Sequence, residues 1–154
     1  MNAYGVTAAF DASGDDDNPE HMASILNQID NNGDLNLRLV GSVRATASKT
    51  PDENVDTAAR WREVVKGRSF HYNTLKIPDD GTVEGRTAAM FEDYQGEPGN
   101  NGETVFSEAQ VTEMITAAAA QNIDVHIHAL GERAIHETLN AIEATRKALP
   151  DADS

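Results

Sequence analysis

The sequence predicts an α/β fold of four parallel strand–helix units, a partial TIM-type barrel amounting to about half of a (β/α)₈ barrel. Three observations carry this. Four short β-compatible runs alternate with four helical patterns in the order βαβαβαβα, which implies parallel strands joined by right-handed crossovers. Three of the strands place polar residues near their C-terminal ends on the side away from the helices, as a barrel interior does. The chain has 154 residues, enough for one domain at about 100–200 residues each but short of the about 250 of a complete barrel. Residues 1–154 are therefore expected to form a single partial-barrel domain.

The first strand is expected over 4–10, an apolar run ending at Asp11. A loop of acids and small residues follows, including Asp15, Asp16 and Asp17. That run reads as a solvated loop, with a loose cation site as the sharper alternative. Asn18-Pro19-Glu20 starts the first helix, with Asn as N-cap and Pro at the first helical position. Met22, Ile25, Leu26 and Ile29 form its apolar face, and Asn31-Asn32-Gly33 stops it.

The second strand is expected over 35–43, with Leu35, Leu37 and Leu39 alternating, before a polar loop over 44–54. A helix over 55–66 carries Ala58, Trp61, Val64 and Val65 as its apolar stripe, stopped by Gly67. The third strand covers 70–77. Residues 78–104 are rich in Gly and acids and lack period; a loop that long is usually functional or disordered. Ser107-Glu108-Ala109-Gln110 is a capping-box pattern opening a helix through Val111, Met114, Ile115 and Ala118. The fourth strand covers 123–129. The last helix covers 131–149, with Ile135, Leu139 and Ile142 on its apolar face and Pro150 after it.

Composition excludes several classes. Acids outnumber bases 26 to 12, a net charge of −14, and the bases are 8 Arg and 4 Lys. Such a chain does not neutralise phosphates, so no nucleic-acid partner is expected, and anionic membrane surfaces repel it. No run of 18 apolar residues offers a membrane span. The N-terminal stretch lacks the basic region of a signal peptide. A soluble, cytoplasmic protein is expected, and the acidity with few Lys fits either halophilic adaptation or an ordinary acidic protein of a mesophile. There is no Cys, so a metal would have to be held by His, carboxylate or a modified side chain.

Strand alternation sorts the polar residues. In the fourth strand Val125, Ile127 and Ala129 share one face, and His126 and His128 the other. In the third, Leu75 and Ile77 oppose Thr74 and Lys76. In the first, Thr7, Ala9 and Asp11 fall together. An open sheet covered on both faces would make Lys76 and two histidines poor core residues, which favours the barrel interior. Each residue keeps a plainer reading. Either histidine can be a hydrogen-bonded strand-end residue, and Lys76 can be the ion-pair partner of Asp80. A lysine inside a barrel also has two chemical uses: a Schiff base, or a carbamate that bridges metals. His21, His71 and His136 look unremarkable.

Two segments together carry a resemblance. The first is Lys76-Ile77-Pro78-Asp79-Asp80-Gly81, then Arg86-Thr87-Ala88-Ala89, then Tyr94. The second is Val125-His126-Ile127-His128-Ala129-Leu130-Gly131-Glu132-Arg133-Ala134, then Leu139-Asn140-Ala141-Ile142-Glu143. They resemble the "K-I-x-x-D-G … R-T-A … Y" and "H-A-I-G-D-R-A … L-D-A-I-E" stretches of amidohydrolase family 3, in the metal-dependent amidohydrolase superfamily. The resemblance covers roughly residues 4–149. It implies the second to fifth strands of a (β/α)₈ barrel that stands beside a small β-sandwich.

By that resemblance Lys76 matches a fourth-strand lysine, often carboxylated as a metal bridge, and His128 a fifth-strand metal ligand. Asp80, Gly81 and Arg86 match a loop over the barrel mouth, and Asp80, Arg86 and His126 are the expected substrate-pocket residues. The implied chemistry is hydrolysis of an amide-type C–N bond in a small molecule, using a divalent metal, zinc by expectation, as one or two ions. Two positions depart from the pattern: Glu132 replaces the Asp of Gly-Asp-Arg, and Pro78 stands where an apolar residue is usual. The family's first-strand His-x-His, sixth-strand His and eighth-strand Asp, the proton shuttle, have no counterpart in these residues. The ligand set is thus incomplete, and this chain alone is expected to bind metal weakly and turn over little. Expected partners are a homo-oligomer or a complementary barrel fragment. The rival readings are a non-catalytic acidic domain that self-associates through its half-barrel edges, and a Schiff-base lyase using Lys76.

Overall fold

The structure, a computed structural model, describes residues 2–13 and 19–150. The N-cap expected at Asn18 and the Asp15–Asp17 run lie outside them, as does the side chain of His21. A 3₁₀ turn at Asn2–Tyr4 precedes β1 (Ala8–Phe10), α1 (Pro19–Asn31), β2 (Arg38–Arg44), α2 (Pro51–Val64), β3 (Phe70–Pro78), α3 (Glu108–Ala120), β4 (Asp124–His128) and α4 (Glu132–Ala148). The strands form one sheet in the order β1-β2-β3-β4, every pair parallel. This is the predicted partial barrel.

The sheet is strongly curved. The Phe10 ring on one edge strand lies 5.4 Å, centroid to centroid, from the His126 ring on the other edge strand. In a flat sheet those strands would stand about 14 Å apart, at about 4.8 Å per step. The curl makes a concave face and a helix-covered convex face. Val43, Phe70, Tyr72, Leu75 and Ile77 fill the convex side against Val55, Trp61, Val111 and Met114.

A bulge makes that core continuous. Gly41 pairs with Tyr72, but Ser42 pairs with Thr74, so Asn73 is an extra residue in β3. One extra residue inverts the alternation downstream. Phe70 and Tyr72 before it, and Leu75 and Ile77 after it, all reach the same core. Thr74 and Lys76 consequently face the concave side. Gly41 fits beside these aromatics because a Cβ there would meet the Tyr72 ring at 2.6 Å.

Several details differ from the sequence reading. The first strand is shorter, and its parity is opposite. Ala9 pairs with Leu39, which packs on the core, while Phe10 pairs with Val40 and reaches His126. The concave face therefore carries Phe10, and Thr7, Ala9 and Asp11 are not on it. Helix α2 starts at Pro51 because Thr50 and Glu53 form a capping box, with Thr50 Oγ1 accepting from Glu53 N at 3.3 Å and Glu53 Oε2 accepting from Thr50 N at 2.8 Å. Val64 is exposed, and Val65 fills the core from just beyond the helix. Helix α3 opens at the predicted Ser107–Gln110 box. Helix α4 buries Ala134, Ala141 and Thr145, leaving Ile135 and Leu139 on the surface. Small residues win the inner face because α3 and α4 pack closely, with Thr116 and Thr145 hydroxyls 2.9 Å apart. No helix among the described residues is long and apolar enough to cross a membrane.

Candidate functional site

The concave face holds a cleft of about 520 Å³ at the C-terminal ends of the strands, lined by residues that include Lys76, His126, His128 and Arg44. Strand register explains the grouping. Arg44 pairs with Lys76, and Lys76 pairs with His126, so the three form one row across β2, β3 and β4. His128 lies two residues further along β4, on the same face and opposite Pro78. Ile127, Ala129 and Leu130 complete the β4 side.

Lys76 is buried. Burial pulls its pKa below the ordinary lysine value, and the Arg44 cation pulls it further. Asp80, the counter-ion suggested by sequence, is occupied elsewhere, and no ion pair joins the two among the described residues. His126 also has a lowered pKa, from burial first and then the Lys76 charge. Its Nδ1 is buried and makes no hydrogen bond.

The Nε2 of His128 lies 3.0 Å from the carbonyl oxygen of Gly81. A carbonyl only accepts, so Nε2 carries a proton, and in the neutral ring it is then Nδ1 that offers the lone pair. Asp80 braces this arrangement. Its carboxylate accepts from Ala89 N at 3.0 Å, Leu130 N at 2.9 Å and Gly131 N at 2.8 Å. These bonds tie the loop after β3 to the loop after β4. Gly131 has no alternative residue here, because a Cβ would strike the Ala89 backbone.

Three of the residues expected at the site, Lys76, His126 and His128, are thus brought to one cleft. Asp80 and Arg86 are not among its lining residues. The Asp80 side chain is wholly enclosed. Arg86 is held at the outer side of the loop by a charge-assisted hydrogen bond to Glu97. The loop is ordered by an internal bond from Tyr94 Oη to Ala88 O at 2.9 Å and by one from α4, Arg133 Nη2 to Gly102 O at 2.7 Å. Arg44 is a site residue that sequence reasoning misses, because β2 runs one residue past the expected end at Val43. Parity with Leu39 and Val43 would have placed Arg44 on the concave face.

Among the described residues no three His, Cys, Asp or Glu side chains gather as a ready-made metal centre. The donor set fits a metal in part. His128 Nδ1 is a lone pair held in place by a hydrogen bond on the other ring nitrogen, as metal-binding histidines are. Lys76 fits once carboxylated, since a carbamate offers oxygen donors that an ammonium lacks.

Comparison with known proteins agrees with this architecture. YtcJ of Bacillus subtilis (strain 168), assigned by name to the amidohydrolases, is 36% identical over 86 residues, covering 54% of this chain and 16% of that protein. The exoenzymes regulatory protein AepA of Pectobacterium carotovorum subsp. carotovorum is 31% identical over 104 residues, covering 68% of this chain and 22% of that protein. The chain thus spans about a fifth of the length of these relatives. The crystal structure of an uncharacterized metal-dependent hydrolase from Pyrococcus furiosus superposes with a TM-score of 0.67 at 25% identity, covering 82% of this chain and 26% of that one. The profile of the amidohydrolase family matches residues 1–154, and the chain belongs to that family.

Proposed function

We propose that this chain contributes part of the metal centre of a hydrolase that cleaves amide-type C–N bonds in small molecules. One observation carries the reading. Lys76 and His128, at the C-terminal ends of adjacent strands, line one concave cleft; no acid pairs with Lys76 among the described residues, and Asp80 approaches His128 only at Nε2, 3.8 Å away, leaving Nδ1 clear of it. When bound, a divalent metal would lower the pKa of a water and polarise the scissile carbonyl. Nitrogen and carbamate-oxygen donors suit zinc.

The chain's own residues have separable tasks. Desolvation favours the neutral amine of Lys76. Its lone pair attacks CO₂ to form an N–C bond, and one proton leaves, which gives the carbamate. His128 presents Nδ1 while Gly81 O holds Nε2–H. His126, kept neutral by burial, hydrogen-bonds substrate. Ile127, Ala129 and Leu130 shield one wall from water. The remaining donors come from outside these elements.

A second observation supports the partner reading. The helices at both sheet edges expose apolar side chains, Met22 and Ile25 on α1 and Ile135 and Leu139 on α4. Such edges suit further strand–helix units, in a complementary barrel segment or a second copy.

Histidine-ring ¹⁵N NMR during Zn²⁺ addition tests the metal reading. The Nδ1 resonance of His128 should shift while its Nε2 proton is retained. A His128 spectrum unmoved by Zn²⁺ would contradict it.

A further inference from the structure

We propose that Phe10 is a positioning residue: its ring, reaching across from the opposite edge strand, holds the His126 imidazole with Nδ1 sealed and Nε2–H offered to the cleft. This deepens the hydrolase reading, and it rests on that reading only for what the Nε2–H donates to. Phe10 on β1 and His126 on β4 meet with ring centroids 5.4 Å apart and planes at 71°, a tilted arrangement that aromatic rings prefer. Burial does not account for Phe10, which is 45% exposed and stands apart from the convex core. Its ring packs instead on a residue that lines the cleft.

The His126 ring needs that hold because its two nitrogens are unequally placed. Nδ1 is buried and makes no hydrogen bond, which leaves Nε2 as the nitrogen that meets the cleft. The Ala12 carbonyl, also at the cleft, neighbours the ring without a hydrogen bond of good geometry. A proton on Nδ1 would be a buried donor with no acceptor, which costs the desolvation of that N–H. The proton therefore belongs on Nε2, where water or a ligand can accept it. Strand parity fixes which face His126 is on, but not the flip of its ring, because the second side-chain torsion of His is broad and roughly two-fold. A flipped ring would exchange the place of Nδ1 with that of a carbon. The Phe10 ring is the contact that resists this flip, and it reaches His126 only because the sheet curls.

Two-bond ¹H–¹⁵N NMR of the histidine rings reads the tautomer directly, on the 154-residue chain in chelator at about pH 8, where an ordinary imidazole is neutral. Wild-type His126 should show Nε2 in the protonated range and Nδ1 in the unprotonated range. Phe10→Ala should free the flip and draw both ¹⁵N shifts toward the average of two tautomers. Phe10→Tyr keeps the ring and should give the wild-type pattern. Phe10→Leu fills the space without a ring and should behave like Phe10→Ala, which keeps the test decisive if the Ala variant does not fold. His128, tied to Gly81 O at 3.0 Å, should stay unmoved in every variant, the control against general loosening. A proton on Nδ1 of wild-type His126, or a His126 pattern untouched by both Phe10→Ala and Phe10→Leu, would overturn the proposal. The hydrolase reading is tested apart, by the response of His128 to Zn²⁺. Its loss would leave this result standing, and the reverse.

Discussion

The enclosed carboxylate of Asp80 lies 3.8 Å from His128 Nε2 and holds the backbone amides of Leu130 and Gly131, two and three residues further on. The same carboxylate holds Ala89 N. One side chain therefore fixes both the loop that supplies Gly81 O and the end of the strand that carries His128. Asp80→Ala should leave three N–H groups without their acceptor, those of Ala89 and Gly131 buried and that of Leu130 partly so. Hydrogen bonds to charged groups contribute about 1.5–3 kcal/mol each and do not add fully, so a loss of at least about 3 kcal/mol is expected by urea unfolding. A loss under about 1 kcal/mol would show that the brace is dispensable.

Asp79 is a buried acid with a different fate. It is fully enclosed, and neither carboxylate oxygen makes a hydrogen bond of good geometry, the Phe106 N–H being a weak neighbour at most. Burial pushes its pKa from 3.8 up to about 6, Glu137 and Asp80 add to the rise, and the Phe106 N–H and Arg133 oppose it. Between those values the folded state holds the proton more tightly than the unfolded state. This contribution to stability should therefore be present below about pH 4, decline as pH rises to about 6, and stay lost above that. Asp79→Asn should stabilise the chain at pH 7 by about 2–3 kcal/mol and flatten that slope. Unfolding curves between pH 4 and pH 7 that match wild type would refute this.

The bulge at Asn73 makes a sharper demand. Deleting Asn73 would turn Leu75 and Ile77 toward the cleft and Lys76 into the core. The deletion should abolish cooperative thermal unfolding. Asn73→Ala, which loses only the exposed 2.9 Å bond to Asp124, should cost under about 1 kcal/mol. A well-folded deletion variant would show that the register is not fixed by this residue.

Lys76 should take up CO₂. With ¹³C-labelled bicarbonate and Zn²⁺, wild type should show a carbamate carbon resonance that Lys76→Ala lacks. Identical spectra from both proteins would remove the carbamate from the account.

Strand-to-helix alternation was legible because Leu75 and Ile77, and Val125 and Ile127, mark period-two strands with a helical stretch between them, and strands joined through helices pair in parallel. So was the common face of His126 and His128, which needs nothing beyond strand parity. The misses are long-range. Phe10 takes its face from pairing with β2, which no local pattern encodes. Ile135 and Leu139 mimic a core stripe, yet the tight α3–α4 contact admits Ala134 and Ala141 instead. Arg86 and Asp80 belong to one motif, but Glu97 draws the first outward and three amides enclose the second.

Zinc affinity tests the central claim most directly. Competition with a chromophoric chelator, in bicarbonate buffer, should give measurable Zn²⁺ binding to the chain. Lys76→Ala and His128→Ala should each weaken it by about tenfold or more, the scale on which even outer-shell changes act at metal sites. Equal affinity in wild type and both variants would mean that the cleft holds no part of a metal centre.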